Sequence, residues 1–431
     1  AHVISVSTGL SISSIATDKK VGAGGPYYII SRSLGLPIGG TIGLALFVGL
    51  SFSISLYAIG FSESFLATWG LPTSKLAIQI CGTATIIFLT VVTFVSTSLA
   101  IKSQYVIMAL IGASLLAILL GSPETPSVGV HLSESEGFSF GIAFGIFFPA
   151  VTGFTAGVNM SGDLKDPKRS IPVGTMSAIG VGLFVYLGLA AFLAFRVPEE
   201  ALRGDSRLLG NIALLSGLPG GSWPVIAGIW GATLSSALGS ILGAPRILQA
   251  LSVDRVTPRF LAKGAGKSNE PRRALFVAFG IGWAGILIGE LDAIASIVSM
   301  FFIATYGMLN LVCFIESWAS TDFRPAFKIP KTVSLVGAVT CIVIMIVLDI
   351  TSTILAVTLL TGIFLYLQRR QLTLESGDTW EGVWSSMIRS GIHRLSRSRK
   401  EQRNFRPNAL CFTGGEVADR EALLELGETL V

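Results

Sequence analysis

Charge is scarce in this chain. Only 13% of its 431 residues are Asp, Glu, Lys or Arg, against ~25% in an ordinary soluble domain. That shortage argues against a large water-exposed surface, and so against a soluble helical protein. Cysteine is scarce as well. Cys81, Cys313, Cys341 and Cys411 lie far apart with no CxxC pair, which argues against a disulfide framework, redox chemistry and structural zinc. The three histidines show no metal-ligand spacing. No nucleotide loop and no nucleophile–base arrangement stand out, so the residues support neither an enzyme nor a bound cofactor, and no nucleic-acid partner is expected. The first residues lack both an initiator methionine and the basic n-region of a signal peptide.

Apolar residues are plentiful. They make up 51% of the chain, the mean hydropathy is +0.71, and they fall in blocks of roughly 16–25 residues, about the length that crosses a hydrocarbon core ~30 Å thick. This pattern predicts an all-α polytopic membrane protein. Spans are expected near 41–66, 77–97, 104–121, 138–160, 173–195, 223–250, 274–289, 293–315, 333–349 and 351–368, after an incomplete apolar stub at 1–17. The stub is too short to cross unaided, so the chain reads as cut at its N-terminus. Linkers on one side carry 17 basic residues, among them Lys19, Lys20, Arg32, Lys102, Lys165, Lys168 and Arg169, a run from Arg246 to Arg273, and Arg324, Lys328 and Lys331. Linkers on the other side carry four, Lys75, Arg196, Arg203 and Arg207, with an acidic stretch at Glu124, Glu134 and Glu136. Positive residues stay inside, which places the 18–40 linker and the C-terminal tail in the cytoplasm. Residues 1–370 then form the transmembrane domain, and 371–431 a cytoplasmic juxtamembrane segment leading into a further domain. The basic cluster Arg394 to Lys400 fits a solvated face or contact with anionic lipid heads. Residues 371–393 suit an interfacial helix.

The most telling stretch is Phe148-Pro149-Ala150-Val151-Thr152-Gly153-Phe154-Thr155-Ala156-Gly157. Pro149 removes a backbone donor and disfavours helix at Phe148. Broken backbone at membrane depth survives only where protein or a solute satisfies it, and in transporters it marks the substrate site. Carbonyls before the break and the Thr152 hydroxyl suit a cation; the amides of Gly153, Phe154 and Thr155 suit an anion. The alternative is a proline kink needed for packing. Tyr57 and Tyr306 sit mid-span, away from the interface where tyrosines usually lie. Their phenols could serve ions, or simply close helix–helix hydrogen bonds. Gly231, Ser235, Gly239 and Gly243 recur every four residues as a packing stripe; Ser235 and Ser236 could alternatively ligate sodium. Glu63, near the outer end of its span, is a functional candidate or a loop residue. Asn159-Met160-Ser161 matches a glycosylation sequon but lies at the inner end of a span, so it is not expected to be an acceptor.

The chain resembles the cation–chloride cotransporter family, within the amino acid–polyamine–organocation superfamily. The resemblance is carried by Gly24-Gly25-Pro26-Tyr27-Tyr28-Ile29-Ile30-Ser31-Arg32, Phe148-Pro149-Ala150-Val151-Thr152-Gly153, Ser161-Gly162-Asp163-Leu164, Gly243-Ala244-Pro245-Arg246, Phe323-Arg324-Pro325-Ala326-Phe327 and Asn404-Phe405-Arg406-Pro407. It implies two inverted repeats of five spans plus two more, with the first span missing here. It implies a potassium site at Tyr57, Pro149 and Thr152, and a chloride site at the amides of Gly153, Phe154 and Thr155 with the Tyr306 hydroxyl. It further implies a sodium site at Ala232, Ser235 and Ser236, an outer-gate carboxylate at Glu63, and a homodimer. Tyr57 together with the serine pair makes the chain most like the sodium–potassium–chloride type. Phe154 and Thr155 depart from the family's usual Ile-Leu, with little effect expected where amides do the binding. The expectation is therefore electroneutral symport of Na+, K+ and Cl−. The alternatives are potassium–chloride symport without sodium, an amino acid or amine permease on the same fold, or a non-transporting partner subunit.

Overall fold

In the computed structural model, the described residues are 1–18, 21–95, 97–121, 140–204, 208–213, 221–266, 269–319, 323–348, 350–370 and 388. The linker carboxylates Glu124, Glu134 and Glu136, the basic residues Lys19, Lys20, Lys267 and Arg207, the Arg394–Lys400 cluster, the 371–393 segment apart from Ile388, and Cys411 lie outside them. The chain divides into two compact units, Ala1–Gly382 and Val383–Val431; the architecture below is that of the first.

Fifteen α-helices and four short 3-10 turns make up the described residues, with no strand longer than one isolated bridge. The helices are α1 (His2–Asp18), α2 (Pro26–Leu34), α3 (Leu36–Thr68), α4 (Lys75–Val95), α5 (Thr97–Leu119), α6 (Phe140–Phe147), α7 (Ala156–Asn159), α8 (Pro167–Arg196), α9 (Glu199–Gly204), α10 (Leu208–Asn211), α11 (Trp223–Val253), α12 (Arg272–Ile288), α13 (Leu291–Ala319), α14 (Lys331–Leu348) and α15 (Ile350–Arg369). A helix forms at each of the ten expected spans. Eight stretches among the described residues are long and apolar enough to cross a membrane. Of the other two, α12 has 17 residues and opens on Arg272 and Arg273, and α15 has 20, with the apolar stretch Ala356–Arg369 among its described residues. The stub at 1–17 is one buried helix, α1. Its 17 residues cover ~25 Å at ~1.5 Å each, less than the ~30 Å of a hydrocarbon core.

The packing shows an internal repeat. α3 and α11, with 33 and 31 residues, lie against each other, and so do α1 with α8 and α4 with α12. Exchanging α1, α3, α4, α5 for α8, α11, α12, α13 turns the observed α5–α11 contact into the observed α13–α3 contact. It likewise turns α12–α3 into α4–α11. Short helices precede each long one, α2 in the first half, α9 and α10 in the second. Five crossings separate equivalent helices, so the halves run in opposite directions. α14 adds to α13 and α1, and α15 to α3. Close approach rests on small residues: in α11, Gly228 leaves room for Ser114 of α5, and a Cβ at Gly231 would stand 3.2 Å from Ile107.

The expected cytoplasmic side is held by a polar knot. Asp254, capping α11, accepts two bonds from Arg32, at 2.6 and 2.9 Å, and one from the Tyr27 hydroxyl at 2.6 Å. Arg32 also lies over the Tyr28 ring at 4.7 Å. Burial, then the negative charge of Asp254, pushes the Tyr27 phenol far above its ordinary pKa, so it remains a donor at neutral pH. The preceding loop turns through Gly25 at φ 45°, where any Cβ would strike the Val158 carbonyl. Ser161 donates to Gly22 O at 2.6 Å. Asp254→Ala is therefore expected to lower stability by about 2 kcal/mol, since Arg32 and Tyr27 lose their acceptor but Arg32 keeps some water. A melting curve of the detergent-solubilised protein checks this; an unchanged midpoint would show that the knot does not hold the fold.

Candidate functional site

The span expected at 138–160 is broken where proline and glycine predict. α6 ends at Phe147, a 3-10 turn covers Phe148–Val151, Thr152 stands between turns, and a second 3-10 turn covers Gly153–Thr155 before α7. Losing the α-helical ladder frees carbonyls in a layer without water, and those of Gly145 and of Pro149 to Thr152 have donors. Ser299 of α13 bonds Gly145 O at 3.0 Å, Tyr186 of α8 bonds Ala150 O at 2.7 Å, Ser5 of α1 bonds Val151 O at 3.2 Å, and Tyr306 of α13 bonds Thr152 O at 2.7 Å. Pro149 O accepts from the Thr152 amide at 3.2 Å and from Thr152 Oγ1 at 2.7 Å. This is the arrangement an interrupted membrane helix requires.

Most residues singled out from the sequence meet here. Tyr57 reaches across from α3 to the Thr152 side chain, and Tyr306 comes within hydrogen-bonding reach of Thr155 and lies close to Tyr57. Thr152 and Thr155 are each 2% exposed, and Tyr306 is 1% exposed. The Phe154 ring packs on Tyr306 with centroids 5.1 Å apart. Gly153 and Gly157 face open space, and a cavity of about 260 Å³ is lined by Ser5, Ala150, Val151, Gly153, Phe154 and Tyr186. The helix after the break is shorter than expected. α7 has four residues, too few for a strong dipole, so an anion here would depend on the amides themselves. Asn159 is buried against Gly243 of α11.

The sodium-site candidates lie on another helix. Ala232, Ser235 and Ser236 are half-buried on α11, and the Ser235 hydroxyl donates to Gln104 of α5. Ser235 thus continues the α5-facing contact of Gly228 and Gly231. Glu63 is half-buried and lines a cavity of about 700 Å³ with Ser64, Asn211 and Ser222, where it feels the charge of Asp292. Beside it, the rings of Phe61, Phe65, Trp69, Trp223 and Trp230 meet tilted or edge-on at 5.4–6.3 Å, as an aromatic belt would.

Sequence reasoning passed over Ser5, Gln104 and Tyr186. Tyr186 carried a usable signal, being a tyrosine inside an apolar span like Tyr57 and Tyr306. Ser5 and Gln104 carried none, because their roles depend on which helix faces them.

A membrane-embedded helical bundle with inverted repeats and a broken, hydroxyl-capped span defines a polytopic transporter-type protein. The chain belongs to the amino acid permease family, whose profile matches residues 1–381. It is 32% identical to solute carrier family 12 member 1 of Mus musculus, over 97% of this chain and 43% of that protein. It is 33% identical to solute carrier family 12 member 2 of Homo sapiens, over 99% of this chain and 40% of that protein. The chain thus spans less than half the length of these relatives. The resemblance carried by the quoted motifs is borne out at the family level.

Tyr306→Phe strips the donor from a buried carbonyl, and a loss of about 1–3 kcal/mol is expected. The melting midpoint reads this directly; a midpoint equal to the parent's would mean that Thr152 O does not depend on Tyr306.

Proposed function

We propose that the protein is a secondary active, electroneutral symporter that moves Na+, K+ and Cl− across a membrane by alternating access. The observation that carries the reading is the convergence of Tyr57, Thr152, Thr155 and Tyr306 on one interrupted span. In this reading the Tyr57 hydroxyl, Pro149 O and Thr152 Oγ1 replace the hydration shell of potassium. The amides of Gly153, Phe154 and Thr155 bind chloride, with Tyr306 turning its hydroxyl from Thr152 O to the anion. Each ion offsets the desolvation of its counter-charge, which couples them. Ala232, Ser235 and Ser236 take sodium, with Ser235 released from Gln104. Glu63 guards the outer cavity. The similarity to solute carrier family 12 proteins supports cation–chloride symport as the general class, while the sodium requirement rests on the serine pair alone. Multi-pass insertion in the plasma or cytoplasmic membrane, a cytoplasmic C-terminus, a homodimer, the absence of a cofactor and a non-enzymatic role belong to the same proposal.

The family profile, described as amino acid permease, keeps one second reading in view: a permease for amino acids or amines. Rubidium uptake into proteoliposomes carrying the full-length gene product separates the two. Removing sodium or chloride is each expected to abolish uptake. Uptake that needs chloride but not sodium would make this a potassium–chloride symporter. Uptake indifferent to both and inhibited by amino acids would favour the permease. Ser235→Ala is expected to abolish sodium dependence; sodium dependence equal to the parent's would return Ser235 to its packing role against α5.

A further inference from the structure

Three consecutive carbonyls of the break are held by hydroxyls from three different helices. Tyr186 of α8 donates to Ala150 O, Ser5 of α1 to Val151 O, and Tyr306 of α13 to Thr152 O. The Pro149 carbonyl differs. Among the described residues its donors are both from Thr152, the amide and Oγ1. We infer that Tyr186, with Ser5 beside it, is a positioning residue that decides which oxygens of the break are open to a cation. The inference rests on the cation-site reading above.

The physical argument concerns what each oxygen must give up to turn toward an ion. A cation in a dry site needs several oxygens at once. If Val151 O swings inward, the buried Ser5 hydroxyl loses its acceptor; if Ala150 O does, the half-buried Tyr186 hydroxyl loses its own, and a polar group left unpaired at membrane depth is costly. The Pro149 O–Thr152 Oγ1 pair opens by rotation about one side-chain bond. No other helix loses a bond, and two oxygens are delivered together. Tyr186 and Ser5 therefore lock the carbonyls of Ala150 and Val151 and leave that of Pro149 adjustable. Tyr186 is well held for this task. Its ring meets Phe147 edge-on at 5.4 Å and His2 at 6.0 Å. Its own helix, α8, packs against α1, which brings Ser5. These two helices are partners in the internal repeat, so both outer clamps come from one contact. Tyr57 and Tyr306, by contrast, come from α3 and α13.

Tyr186→Phe keeps the ring and frees Ala150 O to compete for the ion. The expected result is a rise of about fivefold in the rubidium concentration giving half-maximal uptake, the equivalent of one neutral hydrogen bond. Discrimination between rubidium and lithium should fall, and maximal uptake per molecule should change less than affinity. A merely structural role would lower maximal uptake and protein yield without moving the half-saturation point or the selectivity. Tyr57→Phe, run in parallel, tests the cation site itself. A shift in both variants supports the inference. A shift in Tyr57→Phe alone overturns the positioning role and leaves the site standing. No shift in either overturns the site reading and this inference with it. Should Tyr186→Phe fail to reach the membrane, Ser5→Ala, which frees Val151 O, is read by the same criteria.

Discussion

A peptide group without a partner costs several kcal/mol in hydrocarbon, and the rest of this bundle is arranged around meeting that demand at one interrupted span. Pro149 and the glycines that follow break the helix from Phe148 to Thr155. The freed carbonyls are then met by Ser5, Tyr186, Ser299 and Tyr306 from α1, α8 and α13. Those bonds fix how three helices sit about the break. They also place the Tyr57 and Tyr306 phenols beside Thr152 and Thr155. Structural satisfaction and the gathering of these oxygens around the break are thus one arrangement.

The internal repeat supplies the frame. α3 and α11 form the long central pair, and at one end they are joined through α2 by Arg32, Tyr27 and Asp254. The loop through Gly25 presses against Val158, just beyond the break, with no room for a side chain. The break is therefore tied to its neighbours at two levels, by hydroxyls at its centre and by backbone contact and Ser161 at its end. At the other end Glu63 looks into a cavity of about 700 Å³, so the two sides of the bundle differ in packing.

What was legible in the sequence was local in the chain. The break could be placed from Pro149, Thr152 and Gly153, because the cost of free backbone is set within a few residues. Tyr57 and Tyr306 could be picked out because a phenol within an apolar span needs a partner wherever it points. The helices came from the apolar blocks, and α12 and α15 cover the blocks expected at 274–289 and 351–368 to within one residue. What could not be read depended on tertiary pairing. Arg32 and Asp254 are 222 residues apart, and nothing near either one names the other. Ser5 is a small residue on a serine-rich helix until the fold puts Val151 O beside it. Ser235 shows the same ambiguity from the opposite side. The sequence offers a packing stripe and a hydroxyl together, and the bundle uses both toward α5 through Gly231 and Ser235.

The central claim is that the interrupted span holds a cation and an anion together, each offsetting the other's desolvation. Linked binding tests it most directly: thermal unfolding of the detergent-solubilised full-length protein, titrated with potassium in the presence of chloride and again with gluconate in its place. A ligand that binds the native state raises the midpoint, and coupled ligands must raise each other's affinity reciprocally. The account predicts that potassium raises the midpoint at lower concentration when chloride is present, and that chloride does the same when potassium is present. Potassium titrations that superimpose with and without chloride, in a protein each ion stabilises, would contradict it.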